Sequence, residues 1–195
     1  MLEINNLNIN EHLQGVSFEV RLNSFKIIYG DSPLFNAIYG IEKFDKGTII
    51  LENKKVSYLH REHIQNLRKS IYYIPKENFF IRKRTLFDNF LQISGKNRDK
   101  IISLTTRMGL ANSINKRIFQ LNSDEVFRAK LLLAILQKPE ILLANIYGVE
   151  EETIYLIQRF AEDERFGVLL ESCSEFDKTL FTESYKLEKQ KIVLI

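Results

Sequence analysis

Four groups of residues in this 195-residue chain carry side chains or backbone able to do chemistry. Gly30-Asp31-Ser32-Pro33 directly follows the apolar run Phe25-Lys26-Ile27-Ile28-Tyr29, so a strand ends there in turn residues. Cys173, His12, His60 and His63 are the residues that could serve as a reactive thiol or as metal ligands. A single cysteine forms neither an internal disulfide nor a thiolate cage, and no two histidines stand four apart, so ordinary packing and surface roles are expected and no metal is assigned. His60 and His63, with Arg61 between them, are expected on a short solvated helix. Phe79-Phe80-Ile81-Arg82-Lys83-Arg84, with Arg68 and Lys69 upstream, concentrates cations beside two aromatic rings. Acidic residues are interspersed elsewhere and no RNA-binding motif accompanies the run, which argues against a nucleic-acid partner. Glu162-Asp163-Glu164 could hook a basic partner, but a short charge run before Arg165 reads as the solvated end of a helix.

The composition bounds what these groups can belong to. With 45% hydrophobic and 27% charged residues, 8 Gly and 3 Pro, the chain is a folded protein rather than a disordered or fibrous one. Its length fits one domain over residues 1–195 with a sizeable core. A net charge of +3 is too balanced to indicate a polyanionic partner. No apolar run approaches the roughly 18 to 20 residues that span a bilayer, and Met1-Leu2-Glu3-Ile4-Asn5-Asn6 lacks the pattern of a secretory leader, so a cytoplasmic location is expected.

The elements that must position the groups follow from periodicity. Leu2 to Ile9 and Val16-Ser17-Phe18-Glu19-Val20 read as antiparallel strands, Phe25 to Tyr29 as a buried strand, and Leu34 to Tyr39 as a helix. Thr48 to Leu51 and Lys55-Val56 flank a turn at Glu52-Asn53-Lys54, and Ile71-Tyr72-Tyr73-Ile74 is a buried strand stopped by Pro75. From about 85 to 137 the spacing becomes helical and predicts a helical subdomain. Ile141 to Ala144 and Val168 to Leu170 are apolar strands separated by a helix near Thr153 to Ala161, and Tyr185 to Leu187 with Lys191 to Leu194 closes the chain. The fold class expected is α/β, with an N-terminal antiparallel sheet and a helical insertion.

Several segments, in this order, resemble the nucleotide-binding domain of ABC transporters, a P-loop NTPase-like fold, and in particular its small FtsE/LolD-type branch. Ile38-Tyr39-Gly40-Ile41-Glu42-Lys43-Phe44-Asp45-Lys46-Gly47 resembles the stretch after that family's phosphate loop. Arg84-Thr85-Leu86-Phe87-Asp88-Asn89 is similar to its R-T-(V/A)-x-(D/E)-N segment. Leu136-Gln137-Lys138-Pro139-Glu140-Ile141-Leu142-Leu143-Ala144 resembles the passage from its signature helix into Walker B, and Tyr185 to Val193 resembles its closing hairpin. Together these segments cover nearly the full length.

The residues that do the family's chemistry depart from its pattern. A phosphate loop, G-x-x-x-x-G-K-(S/T), uses glycine amides to wrap phosphates, lysine to reach the terminal ones and a hydroxyl to ligate Mg²⁺. Read without gaps from Gly30, the positions for Gly, Lys and Ser/Thr hold Phe35, Asn36 and Ala37. Aligned instead through Ile38-Tyr39-Gly40, which keeps the downstream match and is preferred, Gly30-Asp31-Ser32 is followed by a deletion of about five residues ending at Pro33. The resemblance places the Mg²⁺-holding acid at Asn145, the catalytic base at Ile146, the glutamine of the following loop at Lys76 and the switch histidine at Cys173. The signature L-S-G-G-E falls on Leu121-Asn122-Ser123-Asp124-Glu125, with Asp124 expected to bring a carboxylate to where a phosphate should dock. Only Asn8 to His12 separate Leu7 from Leu13, so the adenine-stacking loop is expected to be missing.

A magnitude decides what these departures imply. Each charge-assisted hydrogen bond to phosphate contributes about 1.5–3 kcal/mol, so losing three costs roughly 5–9 kcal/mol, against about 8 kcal/mol for a whole micromolar affinity. The expectation is a catalytically inactive relative of these ATPases with no cofactor, ATP and Mg²⁺ included. What the resemblance implies for partners is a transmembrane subunit, FtsX-like or other, whose coupling helix docks against Phe79, Phe80, Arg82, Lys83 and Arg84, with the chain peripheral at the cytoplasmic side of the inner membrane. A homodimer, or a heterodimer with an intact paralogue that hydrolyses ATP, is the enzymatic alternative. A soluble scaffold without a membrane partner is the third.

Overall fold

In the computed structural model, which describes residues 1–58, 60–95 and 98–195, two sheets and six helices stack in layers. Strands β1 (Leu2–Ile9), β2 (Leu13–Val20), β4 (Lys46–Leu51) and β5 (Lys54–Lys55) form an antiparallel sheet in the order β2-β1-β4-β5. The apolar spacing of β1 slips from Leu2 and Ile4 to Leu7 and Ile9 because a bulge interrupts the ladder between Ile4 and Leu7, where Asn6 takes a positive φ of 50°. All four apolar side chains consequently face the core.

The second sheet has six strands in the order β10-β9-β3-β8-β7-β6, comprising β3 (Phe25–Tyr29), β6 (Ile71–Ile74), β7 (Ile141–Asn145), β8 (Gly167–Ser172), β9 (Glu183–Glu188) and β10 (Lys191–Leu194). Every neighbour pair is parallel except the closing hairpin β9–β10. Parallel strands covered on both faces read as continuous apolar runs, which is how β3, β7 and β8 appear in the sequence. Alternate residues serve opposite faces. Ile27, Leu142, Ala144, Val168 and Leu170 pack against the helices. Ile28, Ile141, Leu143 and Leu169 pack against the antiparallel sheet together with α1 (Leu34–Ile38) and Leu67 of α2 (Arg61–Ser70).

The helical side contains α3 (Leu86–Ser94), α4 (Arg98–Arg107), α5 (Ser123–Gln137) and α6 (Glu151–Glu164), with two single 3-10 turns between α4 and α5. The helical region expected from 85 to 137 is thus broken at Ala111–Ser113 and Ile118–Gln120. Helix α5 is apolar on nearly every side and lies buried between the sheet and the other helices. Its chain leaves through Lys138 in the left-handed conformation followed by Pro139, which stops the helix. The hairpin turns fall where expected, at Glu52-Asn53 and Lys189-Gln190, each pair with two positive φ values suited to the twist of the flanking strands. His60 is the residue that opens α2 rather than a member of it, while His63 lies within the helix and accepts a hydrogen bond from the Ser57 amide at 3.2 Å. Glu162, Asp163 and Glu164 are the exposed last turn of α6, with Arg165 as its left-handed cap and Asp163 paired to Arg107 at 3.0 Å.

Candidate functional site

The carboxyl ends of β3, β8, β7 and β6 lie side by side, and the turns that leave them carry most of the residues singled out by the sequence. Open α/β sheets place ligands at this edge. After β3 the chain takes only four residues, Gly30 to Pro33, before α1 begins. Gly30 has φ +145°, and a Cβ there would stand 2.7 Å from Cβ of Leu187 on β9. Glycine is therefore required by both the backbone conformation and the neighbouring strand. Its amide donates to the Ser172 carbonyl at 2.8 Å, tying the turn to β8.

The turn closes on a carboxylate from its own chain. Glu171, fully buried at the end of β8, accepts hydrogen bonds through Oε1 from the Ser32 amide at 3.0 Å and the Ser32 hydroxyl at 2.5 Å. Its Oε2 accepts from Nδ2 of Asn145 at 2.6 Å. The Tyr73 hydroxyl on β6 lies 3.1 Å from Oδ1 of both Asn145 and Asn36, extending the network into α1. Burial pushes the Glu171 carboxyl up to about 7, with the Ser32 and Asn145 hydrogen bonds pulling against it and the nearby Asp31 charge adding to the rise. Burial likewise raises Tyr73, helped by the charge on Glu171. Ile146 follows Asn145 into the core and donates its amide to the Glu171 carbonyl at 2.9 Å, so an apolar side chain fills that position.

Towards solvent the same edge holds a looser cluster. Lys76 lies 3.6 Å from the Asp31 carboxylate and 3.9 Å above the Tyr147 ring. The Tyr147 hydroxyl is 3.3 Å from Sγ of the exposed Cys173. Residues Gly30 to Pro33, Lys76, Asn145, Ile146 and Cys173, scattered in sequence, are therefore brought together. Asn122 and Ser123, at the start of α5, line a cleft together with Lys76, Asn145 and Tyr147, while Asp124 stands apart from it.

That helix start differs from the expectation for Asp124. Asn122 and Glu125 form a reciprocal capping box, the Asn122 side chain accepting from the Glu125 amide at 2.7 Å and Glu125 from the Asn122 amide at 3.0 Å. Asp124 turns inward instead of towards a docking anion. It is buried, pairs with Arg128 at 2.6 Å and accepts from the Glu150 amide at 3.0 Å. Arg128 also donates to Thr153 at 2.7 Å, so Asp124 and Arg128 together fasten α5 to the start of α6. A short polar side chain one turn into a helix reaches the neighbouring backbone more readily than solvent once that backbone lies within 3 Å.

The segment after β6 holds the expected partner-binding residues. Phe79 and Ile81 are 41% and 43% exposed, and Arg82, Lys83 and Arg84 point to solvent. Phe80 does not belong with them: it is buried against Phe90 and Phe79, at ring separations of 6.2 and 4.9 Å, and forms part of the core. The cause is Asn89 of α3, whose side chain accepts from the Ile81 amide at 2.8 Å and donates to the Thr85 carbonyl at 2.9 Å, folding the segment so that Phe80 faces inward.

Three participants were not singled out by the sequence reading. Glu171 was visible as the one acid in the run Val168-Leu169-Leu170-Glu171. Tyr73 gave no signal distinct from an ordinary strand aromatic. Lys130 interrupts the apolar sequence of α5; its ammonium is buried and donates to the carbonyls of Pro75 and Glu77 at 2.8 and 2.7 Å. Burial lowers it to about 8, partly offset by the charge on Glu77.

Comparison with known proteins fits this geometry. The chain is 26% identical to the cell division ATP-binding protein FtsE of Escherichia coli K12 over 192 residues, covering 90% of this chain and 86% of that protein. Among solved structures, CbiO1 of Clostridium perfringens, part of the ABC transporter complex CbiONQ, superposes with a TM-score of 0.82 at 18% identity, over 99% of this chain and 86% of that one. The dimeric bacterial ABC transporter cassette MJ0796 gives 0.82 at 16% identity, over 98% and 96%. No described helix is long and apolar enough to cross a membrane. Since the ABC transporter family model matches residues 13–145, and the fold superposes on solved cassettes over nearly its whole length, the chain belongs to the ABC transporter family.

Proposed function

We propose that this cassette neither binds ATP usefully nor hydrolyses it, and works as a docking or regulatory subunit for a transmembrane partner. The observation that carries the reading is the Glu171 carboxyl seated on the Ser32 amide and hydroxyl. The turn after β3 spends its donors on the protein's own acid, contains no lysine, and would set an incoming phosphate against Glu171 and Asp31. Like charges at such separations oppose binding rather than merely failing to assist it. At Asn145 and Ile146 an amide and an alkyl group replace the acid and base that a metal-assisted attack by water uses.

For docking, the support is the exposed pair Phe79 and Ile81 beside Arg82, Lys83 and Arg84. Apolar anchors ringed by cations suit an amphipathic segment of a membrane protein near anionic headgroups. By analogy with the FtsE relatives, the process is cell division with an FtsX-like partner at the cytoplasmic face of the inner membrane.

Isothermal titration with ATP, with and without Mg²⁺, tests the nucleotide half. No heat up to millimolar nucleotide is the expected result; micromolar Mg²⁺-dependent binding, or hydrolysis that survives rigorous purification, overturns it. Membrane co-fractionation separates a docking subunit from a soluble scaffold, and Phe79→Ser with Ile81→Ser should release the protein from membranes.

A second reading, one half of an asymmetric dimer whose intact paralogue hydrolyses ATP, is favoured by the inward turn of Asp124, which leaves Asn122 and Ser123 exposed at the helix start. Ser123→Gly should then raise the activity of the mixed dimer, and an unchanged rate counts against this reading.

A further inference from the structure

Between the segment after β6 and the start of α5 lies an open cleft of about 540 Å³, a volume suited to a small organic molecule. One wall carries Lys76 and Arg82; the other presents Phe119, Leu121 and Val126, and Lys130 forms part of the lining. Among the described residues, no aspartate or glutamate lines it. That absence has a structural origin, because both acids of the first turn of α5 are engaged elsewhere. Asp124 is turned to Arg128 and Glu150, and Glu125 to Ser113, Lys116 and its own cap.

The cations are available to different degrees. Arg82 has no hydrogen bond or ion pair among the described residues, and Lys76 has its 3.6 Å exposed contact with Asp31 and lies 3.9 Å above the Tyr147 ring. Lys130 directs its protons to backbone carbonyls and contributes charge alone. Phe119 is 54% exposed, an unusual setting for a ring that a partner or ligand does not cover.

We infer that this cleft is a binding site for an amphiphilic organic anion, an aryl or acyl carboxylate whose charged head lies at Lys76 and Arg82 and whose apolar body lies on Phe119, Leu121 and Val126. Charge complementarity selects the head, since no carboxylate is among the described lining residues and the one beside Lys76, Asp31, is largely exposed and screened by solvent. The volume excludes a long acyl chain in full and accommodates an aryl acid. The cleft adjoins the turn closed by Glu171 through Asn145 and Lys76, and it shares Arg82 with the docking surface proposed above.

The probe pair for the test is 8-anilino-1-naphthalenesulfonate and N-phenyl-1-naphthylamine, the same fluorescent body with and without an anionic head. Saturable one-to-one binding of the sulfonate is expected, competed by 2-naphthoate, with the neutral amine binding about tenfold more weakly as expected for loss of a charge-assisted contact. Lys76→Gln with Arg82→Gln should weaken the sulfonate about tenfold or more and leave the neutral amine unchanged, and Phe119→Ala should weaken both. These three side chains are exposed, so the variants keep the fold, and circular dichroism confirms it. Sulfonate binding that does not saturate, an equal affinity for the neutral amine, or an unchanged affinity in the charge variant overturns the inference. Displacement of the sulfonate by micromolar ATP overturns it too, in favour of a nucleotide site.

Discussion

Glu171 concentrates the chemistry of this protein in one side chain. A carboxyl with no exposed surface and no cation partner is costly to ionise, so its folded value near 7 stands well above the ordinary 4.5. Because the folded value is the higher one, the group favours folding most below about pH 4.5, and that contribution is lost as pH rises through about 7. Glu171→Gln keeps an acceptor for Ser32 and removes the titration. The variant should match the parent near pH 4.5 and exceed it at pH 8 by on the order of 3 kcal/mol. Urea unfolding midpoints at the two pH values measure this, and a gap independent of pH contradicts it. At the same edge, Gly30→Ala forces a Cβ against Leu187 in a backbone region that L-residues avoid, and should cost about 1–3 kcal/mol in the same assay.

Among the elements, α5 decides how the helical layer sits on the sheet. Lys130 reaches from its buried face to the carbonyls of Pro75, Lys76 and Glu77, at 2.8, 3.4 and 2.7 Å, and so ties the helix to the segment that leaves β6. The Asp124 and Arg128 pair ties its first turn to α6. Lys130→Met leaves two or three partly buried carbonyls without the ammonium's protons, at about 1–3 kcal/mol each at most. The expected outcome is lower stability together with faster amide exchange confined to residues 76–82; exchange that quickens evenly through the molecule indicates a general packing defect instead. Helix α3 shows the complementary device. Thr85 caps it by accepting from the Asp88 amide at 3.1 Å, and Asn89 uses its side chain to shape the preceding segment. The similarity of Arg84 to Asn89 to a family segment therefore has a local mechanical cause.

For the whole molecule, the layered arrangement of antiparallel sheet, central sheet and helices does not rest on the turn after β3. Two apolar clusters, one on each face of the central sheet, hold these layers, and neither contains a residue of the turn after β3. In an active cassette the nucleotide contributes to holding two subunits together; here the mass in solution, by light scattering, should be the same with and without Mg-ATP. An ATP-dependent dimer overturns the inactive reading directly, whatever the fate of the cleft beside Lys76.

The amino-acid order by itself determined the strands, most helices and the family, because these depend on periodicity and turn chemistry within short windows. The period-two runs of β2, the buried apolar runs of β3, β7 and β8 and the turn pairs at Glu52-Asn53 and Lys189-Gln190 are local facts. So is the shortness of the turn from Gly30 to Pro33. Where a side chain points when two elements compete for it is not local. Phe79 and Phe80 are chemically identical neighbours, and only the hydrogen bonds of Asn89, eight residues from Ile81, send one inward and leave the other exposed. Asp124 looked available to solvent at a helix start until the start of α6 brought the Glu150 amide to it and Thr153 to its partner Arg128. Glu171 is an acid in an apolar strand in the sequence; it becomes the closure of the turn after β3 only because parallel pairing places Ser172 beside Tyr29. Burial, pairing and charge compensation are properties of contacts between distant segments, and the tertiary structure alone brings those segments together.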